Sequence, residues 1–170
     1  MKHNIFSSPL WIEEIEPEKI ELSSSNFQKT FASKTISSIS KSGDNNTLTK
    51  EGLNYLLSKI LFCLKEIKIN KIELGNIWRN IYQENNFQEI HFHSGPQFCF
   101  IVYEKLNTPQ TVFLNPSFDL IQEKLLSEYI PIEFIPIVKE KDMIVFPAYL
   151  KHYVQNANNS MTISGNINIL

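Results

Sequence analysis

Beyond Ile67 the spacing of apolar residues changes to period two and keeps it to the end of the chain, which limits the fold to one built mainly from β-strands. Residues 72–82, 87–93, 98–104, 111–115, 132–138, 143–146 and 162–169 read as strands, rich in Ile, Val, Phe and Tyr. Breakers separate them, among them Ser94-Gly95-Pro96, Asn107-Thr108-Pro109 and residues 139–142. A short helix over 119–129 interrupts the series. Upstream, Thr49 reads as an N-cap, with Glu51 in the first turn and Leu53, Leu56, Leu57, Ile60, Leu61 and Leu64 at helical spacing. A helix followed by a run of strands predicts an antiparallel barrel or sandwich with one or two helices on its outside.

The 170 residues are enough for one domain, 1–170, with the β core over 70–170. Residues 4–21 form short extended pieces broken by Pro9 and Pro17. Residues 22–49 are dominated by Ser, Thr, Asn and Lys with scattered Phe27, Phe31, Ile36 and Ile39, and read as a flap or a flexible loop. A net charge of -2 gives no footprint for nucleic acid or an anionic membrane. No apolar run approaches the ~20 residues of a membrane span, which points to a cytoplasmic protein. Cys63 and Cys99 lie in apolar runs and read as reduced core residues.

Three of the four histidines stand out against this frame: His91, His93 and His152. Residues two apart on a strand share a face, so His91 and His93 can reach one ion together, with His152 completing a facial set from a neighbouring strand. Glu89 shares that face, which is a polar interior or a solvent face, while Ile90 and Phe92 share the other, which alternation assigns to apolar packing. The plainer interpretation is a solvated edge strand carrying two incidental histidines. An isolated H-x-H is a weak motif, and the third histidine strengthens it.

The stretch from Leu74 to Ile169 resembles the 2-oxoglutarate/Fe(II)-dependent oxygenases, especially the short phage-encoded type. The likeness rests on Trp78-Arg79-Asn80, on His91-Phe92-His93, on Val112 to Pro116, and on Val145-Phe146-Pro147 through His152 to Ile163-Ser164-Gly165-Asn166. It implies a double-stranded β-helix, or jelly roll of cupin-like form. It also implies an iron- and 2-oxoglutarate-dependent dioxygenase, located in the host cytoplasm if phage-encoded. His91 and His152 then take the histidine positions, and His93 the position that usually holds a carboxylate. Glu89 is a further candidate ligand or ligand partner.

A second departure falls on the last strand, where Ser164-Gly165-Asn166 aligns Thr162 with the family's first serine and Ser160 with its 2-oxoglutarate-anchoring arginine. A hydroxyl does not replace a bidentate guanidinium. The replacement cation would come from Arg79, Lys151 or Lys105. Arg79 is the chain's only arginine, and by alternation it faces opposite to Trp78 and Asn80. Asn80, Tyr82 and Tyr103 are interior polar groups suited to hydrogen-bonding a small acid.

Two other readings stay open. A cupin-like three-histidine metalloprotein needs no 2-oxoglutarate, and Pro147, His152 and Asn156 are spaced like the second cupin motif, although Tyr149 stands where Gly is expected. The third reading is a non-catalytic phage accessory or binding protein that retains the fold. The substrate class, small-molecule or peptidyl, and the oligomeric state are not encoded in any pattern above.

Overall fold

The structure is a computed structural model that describes residues 7–22, 27–29, 36–39, 48–107, 111–155 and 158–170. Its elements are β1 (Trp11–Glu14), β2 (Phe27–Lys29), β3 (Ile36–Ile39), α1 (Lys50–Leu64), β4 (Ile72–Tyr82), β5 (Gln88–His91) and β6 (Phe98–Lys105). They continue with β7 (Thr111–Leu114), α2 (Phe118–Glu123), β8 (Glu133–Phe134), β9 (Asp142–Pro147), β10 (His152–Val154) and β11 (Ser160–Ile169). The strands form a seven-stranded sheet, β1-β9-β6-β11-β4-β3-β2, and a four-stranded sheet, β5-β10-β7-β8. The sheets face each other as a double-stranded β-helix, and every named pairing is antiparallel.

Alternation along β6 shows how one sequence serves two cores. Phe98, Phe100 and Val102 turn outward to α1, joined by Met143 and Val145 of β9 and Ile163 and Ile167 of β11. Cys99, Ile101 and Tyr103 turn inward, where Ile144 and Phe146 of β9 meet Phe113 from the opposite sheet. Helix α1 lays Leu56, Ile60, Cys63 and Leu64 on the outer cluster, and Thr49 caps it by accepting from the Gly52 N–H at 3.2 Å. Each such Leu or Ile contributes about 1.5–3 kcal/mol by burial. Burial pushes the thiols of Cys63 and Cys99 up to about 11 and about 12. Both cysteines are free, as expected of core residues.

A bulge decides which face of β4 meets the interior. Gly165 pairs with Ile77 but Ile167 pairs with Leu74, so β4 carries one extra residue between these rungs. Ile72, Leu74 and Ile77 therefore all face the helix, although their spacing is uneven. Beyond the bulge, Trp78, Asn80 and Tyr82 face inward. Gly165 is required here because a Cβ would lie 2.6 Å from the Phe100 ring and 3.1 Å from the Asn76 carbonyl oxygen. Phe100 is fully buried and has no room to swing away. Gly165→Ala is expected to lose about 1–3 kcal/mol of stability, read from the urea midpoint.

Three local expectations change. Helix α2 stops at Glu123 instead of running to 129, because Leu125 adopts a left-handed φ of 55°. The strand expected over 132–138 contracts to β8, since Pro136 has no N–H to offer a ladder. Ile90 and Phe92, assigned to apolar packing, are 57% and 54% exposed, and of the two alternatives for the histidine face the structure has the polar interior. Within residues 22–49, β2 and β3 extend the seven-stranded sheet beside β4. The rest of that segment, apart from Leu22, Leu48 and Thr49, lies outside the described residues.

Candidate metal centre

Strand pairing brings the distant histidine to the other two. β10 runs antiparallel to β5 with His152 directly opposite His91, and β10 is held on its other side by β7. His93 lies just past the end of β5, where its backbone N–H donates to the Ala148 carbonyl at 3.0 Å. The ring centroids of His91 and His152 are 4.3 Å apart, those of His91 and His93 5.2 Å, and those of His93 and His152 5.4 Å. One ring nitrogen from each lies within 4.8 Å of the others. The three rings thus converge on one point.

Hydrogen bonds prepare two of the rings as ligands. Nδ1 of His91 lies 2.8 Å from the Glu89 carbonyl oxygen, and Nδ1 of His152 lies 2.9 Å from that of Leu150. A carbonyl only accepts, so each Nδ1 carries the proton and each Nε2 keeps its lone pair. Glu89 thus serves His91 through its main chain, and among the described residues the convergent metal-ligating group comprises the three histidines alone. His93 is held by stacking, between Trp78 at 5.6 Å and His152. Phe113 and Phe146 close the far side of His152, which is 3% exposed.

Burial keeps the imidazoles neutral. Desolvation, then repulsion from His91, lowers His93 to about 4 and His152 to about 3, and desolvation also lowers His91. Neutral imidazoles need not shed protons to bind an ion at neutral pH. An unfolded chain takes up protons at these positions near 6.5, before the folded one does. Apoprotein stability is therefore fully present above about pH 6.5 and falls as the pH drops toward 4 and then 3. Urea midpoints measured across that range check this, and the loss should shrink when His93 and His152 are both replaced by Gln.

The histidines form one wall of a narrow pocket between the sheets, and Asn80, Tyr82, Tyr103, Ser160 and Thr162 line it further in. Thr111, Gln88, Ser164 and Trp78 also line it. Arg79 is not brought to this pocket. Its guanidinium makes a bidentate pair with Glu104, both contacts at 2.7 Å, on the opposite face of the sheet. Lys105 is exposed, and Lys151 is exposed with its Nζ 5.3 Å from the centre of the Phe118 ring. None of the three cations proposed from the sequence lines the pocket, which contains no Lys, Arg, Asp or Glu among the described residues.

The hydroxyls of this lining have partners within the protein. The Tyr103 hydroxyl donates to Thr111 Oγ1 at 2.9 Å, and that of Tyr82 donates to Gln88 Oε1 at 3.3 Å. Asn80 Nδ2 donates to Thr162 Oγ1 at 3.4 Å, while Ser160 Oγ accepts from the Asn107 N–H at 3.3 Å. Thr111 and Gln88 were missed from sequence. Thr111, a polar residue opening an otherwise apolar strand, was the available signal.

No protein-family model and no curated protein sequence matches this chain. Solved structures do resemble it, and they define its fold as that of 2-oxoglutarate/Fe(II) oxygenases. HygX from Streptomyces hygroscopicus, determined with nickel and 2-oxoglutarate bound, superposes with a TM-score of 0.59 at 11% identity, covering 95% of this chain and 83% of HygX. An oxidoreductase of the 2OG-Fe(II) oxygenase family from Burkholderia pseudomallei gives 0.57 at 10% identity over 79% of this chain and 68% of its own. A Pseudomonas putida prolyl-4-hydroxylase gives 0.54 at 9% identity over 90% and 79%.

Proposed function

We propose that this chain is an iron-dependent oxygenase of the class that uses a 2-oxo acid as co-substrate, with His91, His93 and His152 holding the metal. The observation that carries this reading is the convergence of three neutral imidazoles on one wall of a pocket between the two sheets. Such a donor set suits a divalent first-row ion, and a facial set of three leaves coordination positions open. Ferrous iron held there supplies the oxygen-activating chemistry of the class. The protein's own part is to fix Nε2 of His91 and His152 through the Glu89 and Leu150 carbonyls, and to keep water from the inner side with Phe113 and Phe146. Support also comes from HygX, whose structure contains a metal and 2-oxoglutarate in this fold. HygX was also determined with hygromycin B, and a Trichoplax adhaerens prolyl hydroxylase with a hypoxia-inducible-factor peptide fragment. A small-molecule or peptidyl substrate follows for this chain. Strand β3 pairs with β4, whose Trp78 and Asn80 line the pocket.

Anaerobic titration with Fe(II), followed by tryptophan fluorescence, is expected to saturate at one equivalent because Trp78 stacks on His93. Absence of saturable binding by Fe(II), Co(II) and Ni(II) would overturn the proposal. A second reading, a three-histidine metalloprotein that uses no 2-oxo acid, is favoured by the lack of any cation in the described lining. Metal saturation with no charge-transfer band on adding any 2-oxo acid selects that alternative.

A further inference from the structure

2-Oxoglutarate itself is a poor fit to this pocket. A 2-oxo acid chelating a metal at the histidines extends its far end toward Tyr82, Tyr103, Ser160 and Thr162. The charged far carboxylate of 2-oxoglutarate would there lose its hydration without meeting a cation among the described residues. Burying an unpaired carboxylate costs several kcal/mol, and neutral hydrogen bonds recover only part of that. The hydroxyls and amides of the described lining are neutral, so they can hydrogen-bond a carboxylate without balancing its charge. Burial holds both phenols well above their ordinary range, so they stay protonated and contribute no charge of their own. The only arginine is bound bidentately to Glu104 across the sheet.

Resting on the oxygenase reading above, we propose that the pocket selects a 2-oxo acid whose far end is uncharged, in preference to 2-oxoglutarate. An amide end exchanges hydrogen bonds with Asn80, Thr162 and the tyrosine hydroxyls, since it both donates and accepts. A methyl end packs against Ile101, Leu106 and Val154, which share the lining. Neither requires a buried counter-ion. The position aligned with the family's arginine, Ser160, is then matched to its ligand.

The test uses wild-type protein loaded anaerobically with Fe(II) and titrated separately with 2-oxoglutarate, its C5 monoamide and 2-oxopentanoate, which share a five-carbon backbone. Dissociation constants come from the visible band of the chelate and from calorimetry. The expected result is that at least one uncharged-end acid binds tenfold or more tightly than 2-oxoglutarate, about 1.4 kcal/mol. Equal or tighter binding of 2-oxoglutarate overturns the inference and leaves the oxygenase reading standing. Metal binding with no response to any of the three acids overturns the inference and selects the metalloprotein reading. Failure to bind metal removes the oxygenase reading, and the inference falls with it.

Discussion

Replacing His152 with alanine is expected to weaken divalent-metal binding by at least about a hundredfold, because the partners that merely orient a metal ligand already account for 10–100-fold. His152 is the most buried of the three rings and the one whose position the fold fixes most fully. It sits in register with His91, accepts edge contact from Phe146 at 5.0 Å and has its Nδ1 against the Leu150 carbonyl. His91→Ala should cost a similar factor, since it removes a ring prepared in the same way. His93→Ala should cost less, because that ring lies outside β5 and is half-exposed, held by stacking on Trp78 and His152. Competition titrations with Co(II) or Ni(II) rank the three variants, and circular dichroism separates loss of ligand from loss of fold. Equal, small effects at all three positions would mean that the rings do not share an ion.

The histidine trio and the strand that faces it were legible because both depend on local alternation. β4 runs over Ile72–Tyr82 as its pattern required, and the side of that strand carrying Trp78, Asn80 and Tyr82 faces inward. The outward direction of Arg79 was equally local, but its partner was not. Glu104 lies 25 residues away on β6, and only the β4-β11-β6 strand order brings the two together. The bounds of β10, the strand expected to carry His152, were not legible because three residues after a turn make too short a run to show a period. The inverted burial of β5 was illegible for a different reason. Alternation says which residues share a face and leaves open which face is covered, and α1 covers only the large sheet's outer side. The bulge on β4 likewise changes parity without leaving a Pro or a paired breaker in the sequence, and Gly75 is its only mark.

Phe146→Ala is expected to be the most destabilising of the substitutions considered, by about 3–5 kcal/mol. Its ring is fully buried on β9 and crosses the gap between the sheets, meeting Phe113 edge-to-face at 4.8 Å and His152 at 5.0 Å. Truncation removes the packing of a large side chain and leaves a void that the two sheets cannot close without shifting strands. Edge-to-face pairs add about 0.5–1.5 kcal/mol beyond the area they bury, and Phe146 takes part in two aromatic contacts. For a domain whose whole stability is of order 5–15 kcal/mol, such a loss shows as a large drop in the urea midpoint with the slope little changed. Metal binding reports the same change separately, because His152 loses the wall that holds its ring, and a tenfold or greater loss of affinity follows. Phe92→Ala is the matched comparison: the same side chain, 54% exposed and flanked by two of the histidines in sequence, with an expected cost within ~0.5 kcal/mol. A similar midpoint for the two variants would contradict the assignment of Phe146 to the floor of the site.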